Sequence, residues 1–213
     1  MLVSLEHFQQ RVDSAAELEA LIGLPSELVI RKQLVTLDEH MKSFIADSPF
    51  VLLGTVGRDG MCDVSPRGDR PYVARVMDSQ SLILAERPGN RRADSMRNII
   101  ETGRVGLLFL VPGMGETLRI NGRACVFRDE EVLATLAING KQPVVGIGVE
   151  VEECYFQCAK ALIRSNLWES HAEHPDATSC HFAEMLIDQT GIEGETVESL
   201  GKQIEESYQN RLY

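Results

Sequence analysis

The sequence predicts an α+β fold, mainly β: a small closed antiparallel barrel of six or seven strands flanked by N- and C-terminal helices. Three observations carry this. Hydrophobic residues recur at helical spacing up to residue 47, then switch at Phe50 to short β-branched and aliphatic runs. Between Phe50 and Cys154 those runs are joined by turn words rich in Gly, Asp and Asn, the pattern of hairpin-linked strands. Beyond Cys154 the helical spacing returns. Hairpin-linked strands with one helix inserted favour a closed antiparallel barrel, which leaves few exposed edges. At 213 residues, with 44% hydrophobic and 25% charged content, the chain can bury such a core.

Taken in order, Ser14-Ala-Ala-Glu17 has the form of a capping box. Pro25 suits the first turn of a second helix. Thr36-Leu-Asp-Glu39 repeats the capping pattern before a helix ending near Pro49. Phe50–Val56 reads as a strand, Gly57–Gly60 as a hairpin turn and Met61–Ser65 as the return strand. Tyr72–Met77 and Ser81–Ala85 form a second hairpin across Asp78-Ser-Gln80. A helix opened by Pro88-Gly-Asn90 runs to about Glu101, with Gly103 as its C-cap. Arg104–Val111, Thr117–Phe127 and Pro143–Cys154 are further strands, with a short helix at Asp129–Ile138. Tyr155–Glu169, Ser179–Gln189 and Glu195–Arg211 complete the chain as helices. The expected division is a helical extension over 1–47, the barrel over 48–170 and a second extension over 171–213.

Charge is unevenly spread. Twelve of the sixteen arginines and none of the five lysines fall between Arg58 and Arg128. With eight Asp and Glu, that stretch is about +4, whereas the remainder is about −15. The arginine fork matches phosphate oxygens two at a time, which a lysine ammonium cannot do. A phosphorylated ligand is one reading; a preference for arginine as surface cation is the other. The net charge of −11 argues against non-specific nucleic-acid binding. No apolar run reaches the roughly 18 residues needed to span a bilayer, and the N-terminus lacks the pattern of a secretory signal. The expected location is cytoplasmic. Five scattered cysteines, an odd number among mostly apolar neighbours, suggest reduced, buried thiols.

Three segments carry candidate chemistry. If Asn90 caps a helix, Arg91 and Arg92 occupy its first turn beside free backbone N–H groups, with Ser95 close behind. Arginines oppose the helix dipole there unless an anion sits among them. The competing reading is a solvated turn whose arginines curl back to Glu86 and Asp94. Asp63-Val64-Ser65-Pro66-Arg67-Gly68 lies at the end of the first return strand and is either a ligand-facing segment or an ordinary turn. Lys160, Arg164 and Trp168 recur along one helical face, where they could close over a flat aromatic group or simply border the core.

Cys154, Cys158, His171 and His174 approach zinc-finger spacing, but the histidine pair is one residue too tight. No metal site is expected. The chain has none of the glycine-rich nucleotide loops, no G-x-S-x-G and no H-E-x-x-H. Residues 50–154 hold no histidine, which disfavours imidazole acid–base catalysis and a histidine-ligated haem. A cofactor with its own reactivity fits better.

In these motifs the chain resembles the pyridoxamine 5′-phosphate oxidase-like family of FMN-binding split barrels, and within it an uncharacterised bacterial flavin-nucleotide-binding branch. The matching parts are the Ser-Pro-Arg-Gly segment, the Leu82-Ile-Leu84 strand, Asn90-Arg-Arg92, Leu118-Arg-Ile-Asn-Gly-Arg123 and Cys158-Ala-Lys-Ala-Leu-Ile-Arg-Ser-Asn-Leu-Trp168. The resemblance implies a homodimer with FMN at the subunit interface. It implies that Asp63, Val64, Ser65, Pro66, Arg67 and Gly68 border the flavin, that Leu84 runs behind its ring, and that Asn90, Arg91, Arg92 and Ser95 hold the phosphate. Arg119 is implied near the ring, with Lys160, Arg164, Ser165 and Trp168 supplied by the other subunit. Family oxidases carry Ser-Arg-Lys where this chain has Asn-Arg-Arg, which speaks against vitamin B6 oxidation. Two functions fit: an FMN-dependent oxidoreductase, passing hydride between the flavin N5 and a small-molecule substrate or nicotinamide, and a non-catalytic flavin-binding or storage protein.

Overall fold

The computed structural model describes residues 5–169 and 182–210. They part into two compact units, one ending at Gln33 and the other beginning at Leu34. In the first, a 3-10 turn at Leu5–His7 precedes helices α1 (Ala15–Ile22) and α2 (Glu27–Arg31). Ser14 caps α1 as expected. Its hydroxyl accepts the Glu17 amide, while the Glu17 carboxylate reaches back to the Asp13 amide. The capping residue of α2 is Ser26, so Pro25 lies just before that helix rather than in its first turn.

The second unit opens with α3 (Glu39–Asp47). Its cap is Asp38, whose carboxylate accepts the Met41 amide at 2.8 Å. Thr36, expected in that role, lies two residues upstream and offers its carbonyl to the Cys154 thiol at 3.3 Å. This helix falls within the N-terminal extension of the sequence reading, yet it contributes Met41, Phe44 and Ile45 to the main core.

Seven strands follow: β1 (Phe50–Val56), β2 (Cys62–Gly68), β3 (Ala74–Val76), β4 (Ser81–Ala85), β5 (Arg104–Leu110), β6 (Thr117–Phe127) and β7 (Gly146–Gln157). Helix α4 (Asp94–Thr102) lies between β4 and β5, and α5 (Glu130–Ala134) between β6 and β7. All the pairings are antiparallel, in the order β2-β1-β5-β6-β7-β4-β3. β2 and β3 are the two edges and do not pair with each other, so the barrel is split rather than closed. One apolar cluster nevertheless joins β1 (Val51, Leu53) to β3 (Ala74) at the far edge, through β5, β6, β7 and β4. The sheet therefore curls around a shared core. The long β6–β7 pair slips register at Asn121/Gly122, where a Cβ on Gly122 would meet the Glu150 carbonyl at 2.0 Å. Only glycine fits there.

β2 differs most from expectation. The return strand, read as ending at Ser65, runs on through Gly68, with Pro66 opposite Leu52 and Gly68 opposite Phe50. Proline is tolerated because β2 is an edge strand, where no neighbour needs its missing N–H. Beyond the barrel, α6 (Lys160–Ser165) is short, since Tyr155–Gln157 belong to β7 and Asn166 ends the helix in a left-handed conformation. Helices α7 (Phe182–Thr190) and α8 (Val197–Asn210) approach closely where a Cβ on Gly201 would lie 3.9 Å from that of Ala183.

The four described cysteines are free. Cys154 is buried, but Cys62, Cys125 and Cys158 are exposed, against the expectation of buried thiols. Among the described residues no helix is long and apolar enough to cross a membrane, and no cluster of His, Cys, Asp or Glu could hold a metal ion. His171, His174 and Cys180 lie outside the described residues.

Candidate functional site

A cavity of about 920 Å³ opens between the β2 edge, the segment joining β4 to α4 and the loop ahead of β7. β2 supplies Asp63, Ser65, Pro66, Arg67 and Gly68. The 85–96 segment supplies Ala85, Glu86 and Arg87, then Asn90, Arg91, Arg92 and Ser95. Lys141 to Val145 form the third side, tied to the second by the Glu86 amide donating to the Val145 carbonyl at 3.1 Å. The two motifs singled out in the sequence therefore face one space, and apolar side chains (Val73, Met96, Val144, Val145) complete its lining.

The 88–93 loop is not the helix start its sequence predicts. Arg91 and Ala93 both adopt left-handed conformations, with φ of 62° and 58°, and α4 begins only at Asp94. Few non-glycine residues do this, because Cβ crowds the carbonyl oxygen. Asn90 thus is not the helix cap; its side-chain oxygen accepts the Arg92 amide at 3.0 Å within the loop. Arg91 and Arg92 project from that loop ahead of the helix. Arg92 pairs with Asp94 at 2.5 Å, and this carboxylate, with a smaller contribution from Asp63, raises the Arg92 pKa. The reading in which an arginine curls back to Asp94 holds for Arg92. Arg91 makes no ion pair with any described residue.

Deeper in, charge is tightly matched. Arg67 bonds to Glu86, with side chains 17% and 23% exposed. Arg87 lies 2.7 Å from Asp69, at 15% and 6%, and also donates to the Leu136 carbonyl at 2.8 Å. Arg67 Nε donates to Ser65 Oγ at 3.2 Å, Ser65 Oγ lies 2.9 Å from Ser95 Oγ, and Ser95 donates to Asp63. Ser95, on the first turn of α4, is buried.

Other sequence candidates do not line this cavity. Val64 alternates to the opposite side of β2 and is exposed, while Leu84 is buried in the core. Arg119, on β6, stacks 5.8 Å from the Tyr155 ring centre. Lys160, Arg164 and Ser165 lie on α6, where the Ser165 hydroxyl donates to the Leu162 carbonyl at 3.1 Å. Trp168 falls beyond that helix and donates to the Met114 carbonyl at 2.5 Å, so the continuous Lys160–Arg164–Trp168 helical face does not form. Sequence reasoning missed Asp69 and the Lys141–Val145 side. Asp69 is one residue past the Ser-Pro-Arg-Gly motif, a usable signal; nothing local marks the other loop, which strand pairing brings in.

The volume lies within the roughly 300–1,000 Å³ of small-molecule and cofactor sites. An apolar lining with an arginine loop at one side suits a flat ring system carrying a phosphate, so the residues present fit a flavin nucleotide.

No curated protein matches. Solved structures similar to this chain include HupZ of Group A Streptococcus (18% identity over 55% of this chain and 91% of that one, TM-score 0.47). General Stress Protein 26 of Bacillus anthracis (16%, 55% and 93%, TM-score 0.42) and an F420 reductase (18%, 57% and 98%, TM-score 0.41) are others. The sequence profile of pyridoxamine 5′-phosphate oxidase matches residues 37–158, more than half of the chain. The protein belongs to the pyridoxamine 5′-phosphate oxidase family, a flavin-binding family of oxidoreductase type.

Proposed function

We propose that the cavity binds FMN and that the protein is an FMN-dependent oxidoreductase acting as a homodimer. One observation supports this above the others: the exposed Arg91–Arg92 loop borders a cavity of about 920 Å³ that is also lined by apolar side chains such as Val73, Met96 and Val145. Arg91, with no ion pair among the described residues, and Arg92 would hold the phosphate, and the Asn90 turn fixes the backbone between them. Val73, Met96 and Val145 would receive the ring and exclude water from it. The bound flavin would supply hydride transfer. The barrel contributes position and electrostatics rather than an imidazole acid or base, as it has no histidine. In such a homodimer Lys160, Arg164, Ser165 and Trp168 would serve the second subunit's cavity, as the family resemblance implies.

The direct test is titration of FMN into wild type and Arg91→Ala/Arg92→Ala. Losing charge-assisted phosphate contacts weakens binding by about 10- to 100-fold. Unchanged affinity removes the loop from the site. Rapid mixing of the FMN complex with NADH or NADPH then separates the two functions. Reduction of the flavin supports an enzyme; a flavin that stays oxidised with both favours binding or storage.

A further inference from the structure

The polar wall along β2 is a row of hydrogen bonds whose direction is set at both ends. A guanidinium only donates and a carboxylate only accepts. Arg67 therefore donates to Ser65, and Ser95 donates to Asp63. Because the one Ser95 proton is committed to Asp63, Ser65 must be the donor in the 2.9 Å contact between the hydroxyls. Both hydroxyl protons are then used inside the row. What its Asp63–Ser95–Ser65 part can still offer the cavity is acceptor capacity: lone pairs on the two serines and on the Asp63 carboxylate. A phosphate oxygen, which also only accepts, finds no partner there and meets the negative charge of Asp63. An N–H or O–H group finds one.

Building on the FMN reading above, we propose that the Asp63–Ser95–Ser65 row is a specificity element for an uncharged, hydrogen-bond-donating part of the ligand. The imide N–H of the flavin ring and the hydroxyls of its sugar-alcohol chain have that chemistry. The row turns the phosphate away from its own hydroxyls and carboxylate, and Ser95 does not touch it.

FMN and riboflavin share every such donor and differ only in the phosphate. Both are titrated, by flavin fluorescence, into wild type, Asp63→Asn and Ser95→Ala, with Ser65→Ala held as a second interruption of the row should Ser95→Ala not fold. The expected result is that both ligands weaken by about 3- to 10-fold in each variant, and that Ser95→Ala, which leaves the Asp63 charge in place, keeps the FMN-to-riboflavin affinity ratio at its wild-type value. A ratio that falls in Ser95→Ala puts the phosphate on that serine and overturns the proposal. So do unchanged affinities for both ligands, because the row then faces no ligand. Wild-type protein that binds neither flavin fails earlier and removes the FMN reading itself.

Discussion

Arg67 and Arg87 line the same cavity as Arg91 and Arg92, but the two pairs are held in opposite ways. The first two are mostly buried, and each is matched to a carboxylate that is also mostly buried. The second two stand on a loop, Arg92 paired with Asp94 but with its side chain 79% exposed, and Arg91 with no ion pair among the described residues. Residue type is the same; what differs is how much of the charge is already answered. A guanidinium fixed against Glu86 or Asp69 braces the wall between β2 and the 85–88 segment. One left in solvent at the cavity edge remains available to an incoming anion. The same division runs through the wider arginine-rich stretch, where Arg104 and Arg123 form a surface ladder with Glu150 and Glu152.

Breaking the buried pair has the largest effect on stability. Arg87→Ala removes the cation from a carboxylate that is only 6% exposed, and unfolding in denaturant is expected to show a loss of about 3 kcal/mol. Arg91→Ala/Arg92→Ala sharpens the contrast. Its unfolding midpoint stays at the wild-type value while FMN affinity falls, since exposed charges contribute little to folding. A double variant that unfolds as easily as Arg87→Ala would erase the distinction.

The smallest effect lies away from the cavity. Burial, helped by the carboxylates of Asp38 and Glu153, pushes the Cys154 thiol from 9.0 up to about 11. The folded state holds that proton more tightly than the unfolded chain. The associated stability is therefore complete below about pH 9 and is lost as pH rises towards 11. Unfolding measured across that range should decline more steeply for wild type than for Cys154→Ala, and parallel declines would remove the thiol as the cause.

Much of the fold was legible because local patterns dictate it. β1, β6 and the Gly103 cap follow directly from hydrophobic runs and a left-handed glycine. The failures share a physical origin, a tertiary context overriding a local word. Pro66 reads as a turn residue until β2 is known to be an edge. Asn90 reads as a helix cap until Arg91 and Ala93 are seen in conformations that delay α4 to Asp94. The site was legible where its residues are contiguous, as in 63–68 and 90–95. The Arg67–Glu86 and Arg87–Asp69 pairings were not, because each joins β2 or its end to the segment after β4, and the pairing of strands alone creates that proximity.

Comparing the wild-type protein's affinities for FMN and riboflavin under identical conditions tests the central claim most directly, since a terminal phosphate is their sole difference. A loop whose exposed arginines serve the phosphate predicts FMN binding tighter by about 100-fold. Equal affinities, or no binding of either, would contradict it.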